Sequence, residues 1–240
     1  MRPPGLFISA TGTDVGKTWV TRGLCLALRR EGRRVCALKP YETGCAPDPA
    51  DALALARASA QPALASAPGL YRAPAPLSPR AATLEGHPPP PRLDDLMSTV
   101  HALAQDSDVL LVEGAGGLLV PLGRDHTMAD LATRLALPIL LVARDGLGVL
   151  SHTLTACESA ERRDLRVASV VLCRHGHPAS GCEPSQATNA AVLAERLPYP
   201  VRLLPPTEDD DEALADAVTA CHLLDDLPPL PALPRTPPRV

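Results

Sequence analysis

The segment Ala10–Thr18 constrains this chain more than any other, because it reads Ala-Thr-Gly-Thr-Asp-Val-Gly-Lys-Thr directly after the apolar run Gly5–Ser9. Helical spacing of apolar residues follows over Thr18–Arg30, so a strand–loop–helix unit is predicted. In such a unit the backbone N–H groups of the loop wrap phosphates, a lysine neutralises them and a threonine hydroxyl binds Mg²⁺. The alternative is an ordinary glycine-containing turn capped by Thr18. The pattern favours a phosphate-binding loop, with Lys17 and Thr18 as its functional side chains.

Lysine is scarce in this chain. Among 23 Lys and Arg residues, only Lys17 and Lys39 are lysines. Lysine is a compact point charge whereas arginine is a broad planar fork, so a tight phosphate cradle accepts only the former. Lys39 follows the predicted strand Arg34–Leu38, and side chains at the carboxyl ends of parallel strands point into the ligand crevice. The alternative is a surface lysine at a strand end.

Two acids are candidate metal ligands. Asp51 opens an Ala/Leu-rich helical segment, and Glu113 follows an apolar strand and precedes Gly114-Ala115-Gly116-Gly117. Mg²⁺ prefers hard oxygen ligands and keeps several waters, and glycines allow the backbone to approach phosphate closely. The alternatives are a simple helix N-cap for Asp51 and a strand-terminal glutamate before a flexible turn for Glu113.

The whole pattern predicts a single-domain α/β fold, doubly wound around a mainly parallel sheet, since strands that are apolar throughout alternate with amphipathic helices. We expect about seven strands, with boundaries uncertain by about 2–4 residues. The domain is predicted over residues 1–225, and the proline-rich tail 226–240 is expected to be extended or disordered. A further irregular stretch is expected between Pro74 and Pro91. The predicted strands are Gly5–Ser9, Arg34–Leu38, Val109–Val112, Pro138–Val142, Val167–Leu172 and Pro200–Leu204, and the predicted helices are Thr18–Arg30, Asp51–Ala60, Leu93–Ala104, Gly148–Arg162, Gln186–Arg196 and Asp211–Leu224.

Charge and cysteine content exclude several classes of protein. The formal net charge of −4 argues against non-specific nucleic-acid binding and against a basic membrane-surface protein. No apolar run reaches the roughly 18–20 residues that span a bilayer, and no signal peptide is seen. The seven cysteines are irregularly spaced, as expected for reduced thiols in a cytoplasmic protein. The acidic run Glu208–Glu212 could be a metal site, but it is typical of a solvated helix N-terminus.

Several motifs together resemble those of dethiobiotin synthetases, which are P-loop NTPases, over nearly the whole chain to about residue 205. The phosphate loop resembles that family's Gly-Thr-Asp-Thr-x-Val-Gly-Lys-Thr and departs from it at Ala10 and Gly12. The segment Lys39–Gly44 is similar to the family's Lys-Pro-x-x-Ser/Thr-Gly, and Asp51–Leu55 to its Asp-Ala-Leu-x-Leu. Val-Glu-Gly-Ala-Gly-Gly, here residues 112–117, is a hallmark of the family.

The resemblance implies a reaction and roles for named residues. One amine of 7,8-diaminopelargonic acid takes up CO₂ to form a carbamate, the carbamate attacks the γ-phosphate of ATP, and the second amine closes the ring of dethiobiotin and expels phosphate. It implies a homodimer, with ATP as co-substrate and Mg²⁺ as cofactor. The implied catalytic residues are Lys39 and Lys17; the metal set is Thr18, Asp51 and Glu113; the substrate residues are Thr43 and Ser151; and the nucleotide set is Gly12, Thr13, Asp14, Val15, Gly16, Lys17, Thr18, Trp19, Asp51, Glu113, Gly114, Ala115, Gly116 and Cys173.

Three alternatives stay open. Cys173 stands where many family members have an asparagine that reads the purine edge, and a thiol cannot make the paired hydrogen bonds of an amide; nucleotide use could therefore be looser. Cys173, His175, His177 and Cys182 could bind zinc, although their spacing fits no usual pattern. A ParA/MinD-like regulatory ATPase would carry a lysine at position 12, and a cobyrinate-type amide ligase would need a glutamine-hydrolysing domain.

Overall fold

The computed structural model describes residues 3–175 and 183–231, which form alternating strands and helices. The strands are β1 (Gly5–Ala10), β2 (Val35–Leu38), β3 (Tyr41–Thr43), β4 (Tyr71–Ala73), β5 (Val109–Gly117), β6 (Ile139–Arg144), β7 (Val167–Cys173) and β8 (Val201–Leu204). The helices are α1 (Lys17–Arg30), α2 (Ala50–Ala58), α3 (Pro79–Leu84), α4 (Leu93–Ala104), α5 (Met128–Leu135), α6 (Val149–Glu161), α7 (Asn189–Arg196) and α8 (Asp211–Ala220).

The central sheet has six strands in the order β2-β5-β1-β6-β7-β8, and every pairing in it is parallel. The predicted parallel, doubly wound α/β fold is thus confirmed. The expected count of about seven strands is wrong for this sheet. In the described part of the chain, the two further strands, β3 and β4, pair only with each other, because they lie in the connection that leaves the sheet after β2.

Helices cover both faces of the sheet, which explains why the strands read as continuous apolar runs. One core packs α1 and α8 against Leu6 and Ile8 of β1 and their neighbours. The other packs α4, α5, α6 and α7 against Phe7 and the alternate residues of the other strands. Successive side chains of β1 therefore enter opposite cores, and both are built mainly from Leu, Val and Ala.

Four of these strands and helices were not predicted from the sequence: β3, β4, α3 and α5. β3 and β4 are three residues each, too short to show a period. The stretch expected to be irregular contains α3, whose Pro79 occupies the first turn, where a missing N–H costs nothing, while Ser78 accepts a hydrogen bond from the Ala81 N–H. At α5, Thr127 and Asp130 form a capping box.

The C-terminal region departs from the predicted last helix, because α8 ends at Ala220 and a short 3₁₀ helix follows over Leu223–Asp226. Beyond it, Leu227 and Leu230 pack against the α1–α8 core. The domain boundary at 225 stays a prediction, since residues 232–240 lie outside the described part of the chain. In the two described ranges, no helix has both the length and the apolar character needed to cross a membrane.

Candidate functional site

Strand register brings Lys39 and Glu113 together. β2 pairs with β5 so that Leu38 lies opposite Val112, and the next residue on each strand is Lys39 and Glu113. The Lys39 Nζ donates a hydrogen bond to the Glu113 Oε1 over 2.9 Å. β1 lies on the other side of β5 and leads directly into the phosphate loop, so this pair is placed beside that loop at the carboxyl edge of the sheet.

Lys39 lies between two carboxylates. Its ammonium also donates to the Asp51 carboxylate, and the Lys39 and Glu113 residues are 7% and 0% exposed. Burial alone would lower the pKa of Lys39, but the negative charges of Glu113 and Asp51 outweigh burial and raise the pKa above its usual range. Lys39 is therefore held as a cation inside a largely buried site.

The phosphate loop closes around Lys17 and Thr18. The Lys17 Nζ donates to the Gly12 carbonyl over 3.1 Å, and the Thr18 hydroxyl donates to the Glu113 Oε1 over 2.8 Å. Burial lowers the pKa of Lys17, with the charge of Glu113 opposing it. A phosphate group is the kind of partner that this buried loop cation matches.

Gly16 is required by the shape of the loop. Its φ is +102°, and a Cβ there would come within 2.5 Å of the Cys173 Sγ. Any side chain would therefore be strained in backbone conformation and would collide with β7. The same contact shows that Cys173, which is 1% exposed, lies beneath the loop.

Glu42 fixes the position of Asp51, and sequence reasoning missed it. Its two carboxylate oxygens accept hydrogen bonds from the N–H groups of Asp51 and Ala52, over 2.8 and 3.0 Å. The residue before α2, Pro49, makes no side-chain cap of its own. Nothing in the local sequence indicates that a residue nine positions before Asp51 supplies the cap, since β3 must first fold back toward α2.

The carboxylate of Glu113 retains a free acceptor atom. Its Oε2 is buried and has no hydrogen-bond partner among the described residues, an arrangement that is costly unless a cation or donor completes it. The Thr18 hydroxyl lies against the other oxygen, and the Asp51 side chain is 40% exposed. These are hard oxygen donors of the kind that Mg²⁺ prefers. The described residues hold no cluster of three His, Cys, Asp or Glu.

A cavity of about 690 Å³ lies over these groups, within the usual range for a small-molecule site. Loop residues, the two lysines, α1, α2 and the Pro76–Pro79 segment all contribute to its wall. Of the residues predicted from sequence, those lining it are Thr13, Asp14, Gly16, Lys17, Thr18, Trp19, Lys39, Thr43, Asp51, Ala115 and Gly116.

The remaining predicted residues lie elsewhere. Gly12 and Val15 line a second cavity of about 450 Å³, together with His152. Gly114 is buried against Phe7 and Met128. Ser151 is exposed on α6 and lines neither cavity.

The hypothetical zinc set cannot be assembled from the described residues. Cys173 is buried beneath the loop, and His175 stacks on Trp19 with ring centroids 3.6 Å apart. His177 and Cys182 lie outside the described part of the chain. The zinc alternative therefore stays an untested hypothesis.

The chain is similar to known proteins over most of its length. The chain matches the family model AAA_26, described as an AAA domain, over residues 4–233. It is 45% identical over 207 residues to the ATP-dependent dethiobiotin synthetase BioD of Anaeromyxobacter dehalogenans strain 2CP-1, covering 84% of this chain and 89% of that one. It is 40% identical over 229 residues to the enzyme of the same name from Caulobacter sp. strain K31, covering 90% and 95%.

Solved structures resemble the chain in fold alone. The cell division ATPase MinD of Pyrococcus furiosus has a TM-score of 0.54 at 17% identity, covering 93% of this chain and all of that one. The MinC:MinD complex of Aquifex aeolicus gives 0.54 at 14% identity, covering 98% and 99%. Similarity of fold at such low identity does not show an activity. The sequence relatives, in contrast, match this chain over most of their own length. The chain belongs to the ATP-dependent dethiobiotin synthetase family.

Proposed function

We propose that this chain carries out its family's reaction, the ATP-dependent formation of dethiobiotin, on 7,8-diaminopelargonic acid and CO₂, with ADP and phosphate as the other products. The observation that carries the proposal is that Lys17, Lys39 and Asp51 line one cavity, with the buried Glu113 bonded to Lys39 directly behind its wall. A triphosphate and a carbamate are both anionic, and two buried ammonium groups beside a phosphate loop match that charge.

The role proposed for each side chain follows from its position in the site. Lys17 and the loop N–H groups hold the β- and γ-phosphates. Lys39, on the Glu113 side of the loop, binds the carbamate oxygen and the transferring phosphoryl group, where its fixed positive charge offsets negative charge that builds up during transfer. Thr43, which lines the same cavity, is proposed to orient the diamine.

The metal set proposed for Mg²⁺ is Thr18, Asp51 and Glu113. The free, buried Oε2 of Glu113 supports it, because a bound cation would remove an otherwise costly unpaired acceptor. When bound, the ion would neutralise phosphate charge and align the triphosphate.

Ser151 is proposed to contact the carboxylate tail of the diamine from the partner subunit of a homodimer. Its exposure on α6, where it lines neither cavity of its own subunit, suits contact across an interface. The tail would meet the first turn of α6, because a helix N-terminus favours a carboxylate.

The second candidate is a regulatory ATPase, favoured only by the fold likeness to MinD. Such a protein hydrolyses ATP without a diamine. Its characteristic loop lysine would fall at Gly12, whose carbonyl here accepts the Lys17 hydrogen bond.

One assay separates the two functions. ADP release is measured with and without 7,8-diaminopelargonic acid and ¹³C-bicarbonate, and the product is identified by mass spectrometry. We expect ADP release that requires both compounds, a dethiobiotin product that carries the label, and loss of turnover when EDTA removes divalent cations. ADP release that is independent of the diamine, with no labelled product, would contradict the proposal and favour the ATPase.

A further inference from the structure

The order of the strands indicates in which direction a bound nucleotide would extend across the site. Lys39 follows β2 and Glu113 belongs to β5 on one side of the phosphate loop, and His175 follows β7 on the other side. Neighbouring strands lie about 4.8 Å apart, so β5 and β7 are separated by roughly 14 Å. If the γ-phosphate lies at Lys39, the nucleoside must extend toward β6 and β7, a distance comparable with the length of an extended nucleoside triphosphate.

At that end of the cavity the structure holds an aromatic platform, defined here as the stacked rings of Trp19 and His175. Their centroids are 3.6 Å apart and their planes differ by 9°, and both residues line the 690 Å³ cavity. Trp19 follows Thr18 directly and is 7% exposed, so its ring is set firmly in the protein. Its Nε1 is buried without a hydrogen-bond partner among the described residues.

A third cavity residue, Arg22, lies against the platform, with its guanidinium carbon 5.1 Å from the centre of the Trp19 ring. Asp209 and Asp211 hold it through contacts of 2.6 and 2.7 Å. Both belong to the acidic run, in which Asp210 caps α8 as expected for a helix N-terminus. The run therefore has a second role, because it fixes a cation over the platform and neutralises its charge.

Side chains that could read the edge of a base are few at this end. None of the described residues lining the cavity is an asparagine or a glutamine. Cys173 does not substitute for one, because it faces Gly16 beneath the loop and a thiol makes only weak hydrogen bonds. Stacking acts on the face of a base, which all bases possess, whereas strong discrimination requires hydrogen bonds to a particular edge.

We propose that the nucleobase stacks on the platform at the face of His175 turned away from Trp19, and that this site consequently accepts nucleoside triphosphates with little regard to the base. The inference rests on the proposed function, since it concerns the phosphoryl donor of the same reaction. ATP is then one of several donors, selected by its triphosphate more than by its adenine.

The first test measures kcat/KM for ATP, GTP, CTP and UTP at saturating diamine and bicarbonate. Stacking strengths differ modestly among bases, so we expect the four values to lie within about tenfold of one another. A preference for ATP over each of the others by more than about tenfold would overturn the proposal, because it would require a reader of the adenine edge.

The second test observes binding without turnover. Trp19 is the single tryptophan of the chain, so its fluorescence reports directly on the platform. Titration without diamine is expected to change that fluorescence with all four nucleotides, and much less with inorganic tripolyphosphate, which lacks a base. An equal change with tripolyphosphate would contradict base stacking. Because no diamine is present, this result is independent of whether dethiobiotin is formed.

A pair of variants distinguishes stacking from a structural role. We expect His175→Ala to raise the dissociation constants of all four nucleotides by about tenfold and to leave that of tripolyphosphate unchanged, as measured by isothermal titration calorimetry. His175→Phe keeps a stacking ring and should restore binding. The matched control is His101→Ala, an exposed histidine on α4. Equal weakening of tripolyphosphate binding, or no weakening of nucleotide binding, would overturn the proposal.

Discussion

At the scale of single residues, the two lysines were informative because they are rare in the sequence and nearly buried in the structure. Both lysines of the chain are nearly buried, at 6% and 7% exposure, and both line one cavity. Sequence indicated that each lies near a phosphate site, but it did not indicate which acids they contact. The contacts of Lys39 with Asp51 and Glu113 join residues that are 12 and 74 positions away.

The first prediction concerns Lys39→Gln. Removing one partner of a buried pair leaves Glu113 uncompensated, so we expect a loss of about 3–5 kcal/mol in the free energy of unfolding. Turnover should fall at least about 100-fold even where the variant is fully folded. Dethiobiotin formation and denaturant unfolding followed by circular dichroism measure the two effects.

The double variant Lys39→Gln/Glu113→Gln separates stability from activity. It removes both charges, so we expect it to regain much of the free energy of unfolding that the single variant loses, while turnover stays low. Arg57→Gln, at an exposed position of α2, is the control for loss of one positive charge. Activity of the single variant within a few-fold of the parent would remove Lys39 from the mechanism.

The second prediction concerns the buried thiols. Burial raises the pKa of Cys36 to about 12 and that of Cys173 to about 11, so neither is a thiolate near neutral pH. We expect both to resist iodoacetamide at pH 8 in the folded protein, while the partly exposed Cys45 and Cys221 react. Peptide mass spectrometry gives the modified fraction. Labelling of Cys173 as fast as Cys45 would show that the loop above it opens readily.

At the scale of elements, α2 shows how distant residues decide a helix end. Sequence predicted that the helix starts at Asp51; it starts at Ala50, and the cap comes from Glu42 in β3. Burial raises the pKa of Glu42, although the α2 N–H groups and the charge of Lys39 oppose it. The metal ligand proposed at Asp51 is therefore placed by an element too short for its sequence to reveal.

The third prediction is that Glu42→Ala destabilises the protein by about 1–2 kcal/mol, since loss of a helix cap leaves two N–H groups without their acceptor. Chemical denaturation measures the change in the free energy of unfolding. Glu195→Ala removes an exposed glutamate from α7 and should be nearly neutral. If the two variants are equally stable, the Glu42 hydrogen bonds do not stabilise α2 in solution.

At the scale of the whole molecule, the fold places the site but leaves its chemistry open. MinD shares the architecture at 17% identity, so a parallel sheet with a phosphate loop does not by itself specify ring closure. We propose that the side chains at the carboxyl edge do, namely Lys39 after β2, Glu113 on β5 and Asp51 in the first turn of α2.

The fourth prediction is that the protein is a homodimer in solution, with a mass about twice that of one chain, measured by light scattering after gel filtration. Leu147 is 90% exposed in the loop before α6, where the partner is expected to contact. We expect Leu147→Asp to weaken the dimer, whereas Leu84→Asp, at another exposed leucine on α3, should not. A monomer at micromolar concentration would contradict this prediction.

The sequence alone determined the fold class, the phosphate loop and the identity of the charged groups, because apolar periodicity and a local loop motif depend only on nearby residues. Tertiary structure decided the rest. Register between β2 and β5 paired Lys39 with Glu113, packing of β7 under Gly16 buried Cys173, and the folding back of β3 capped α2 through Glu42. Each of these depends on which atoms meet after distant segments pack, and no local pattern of residues encodes that.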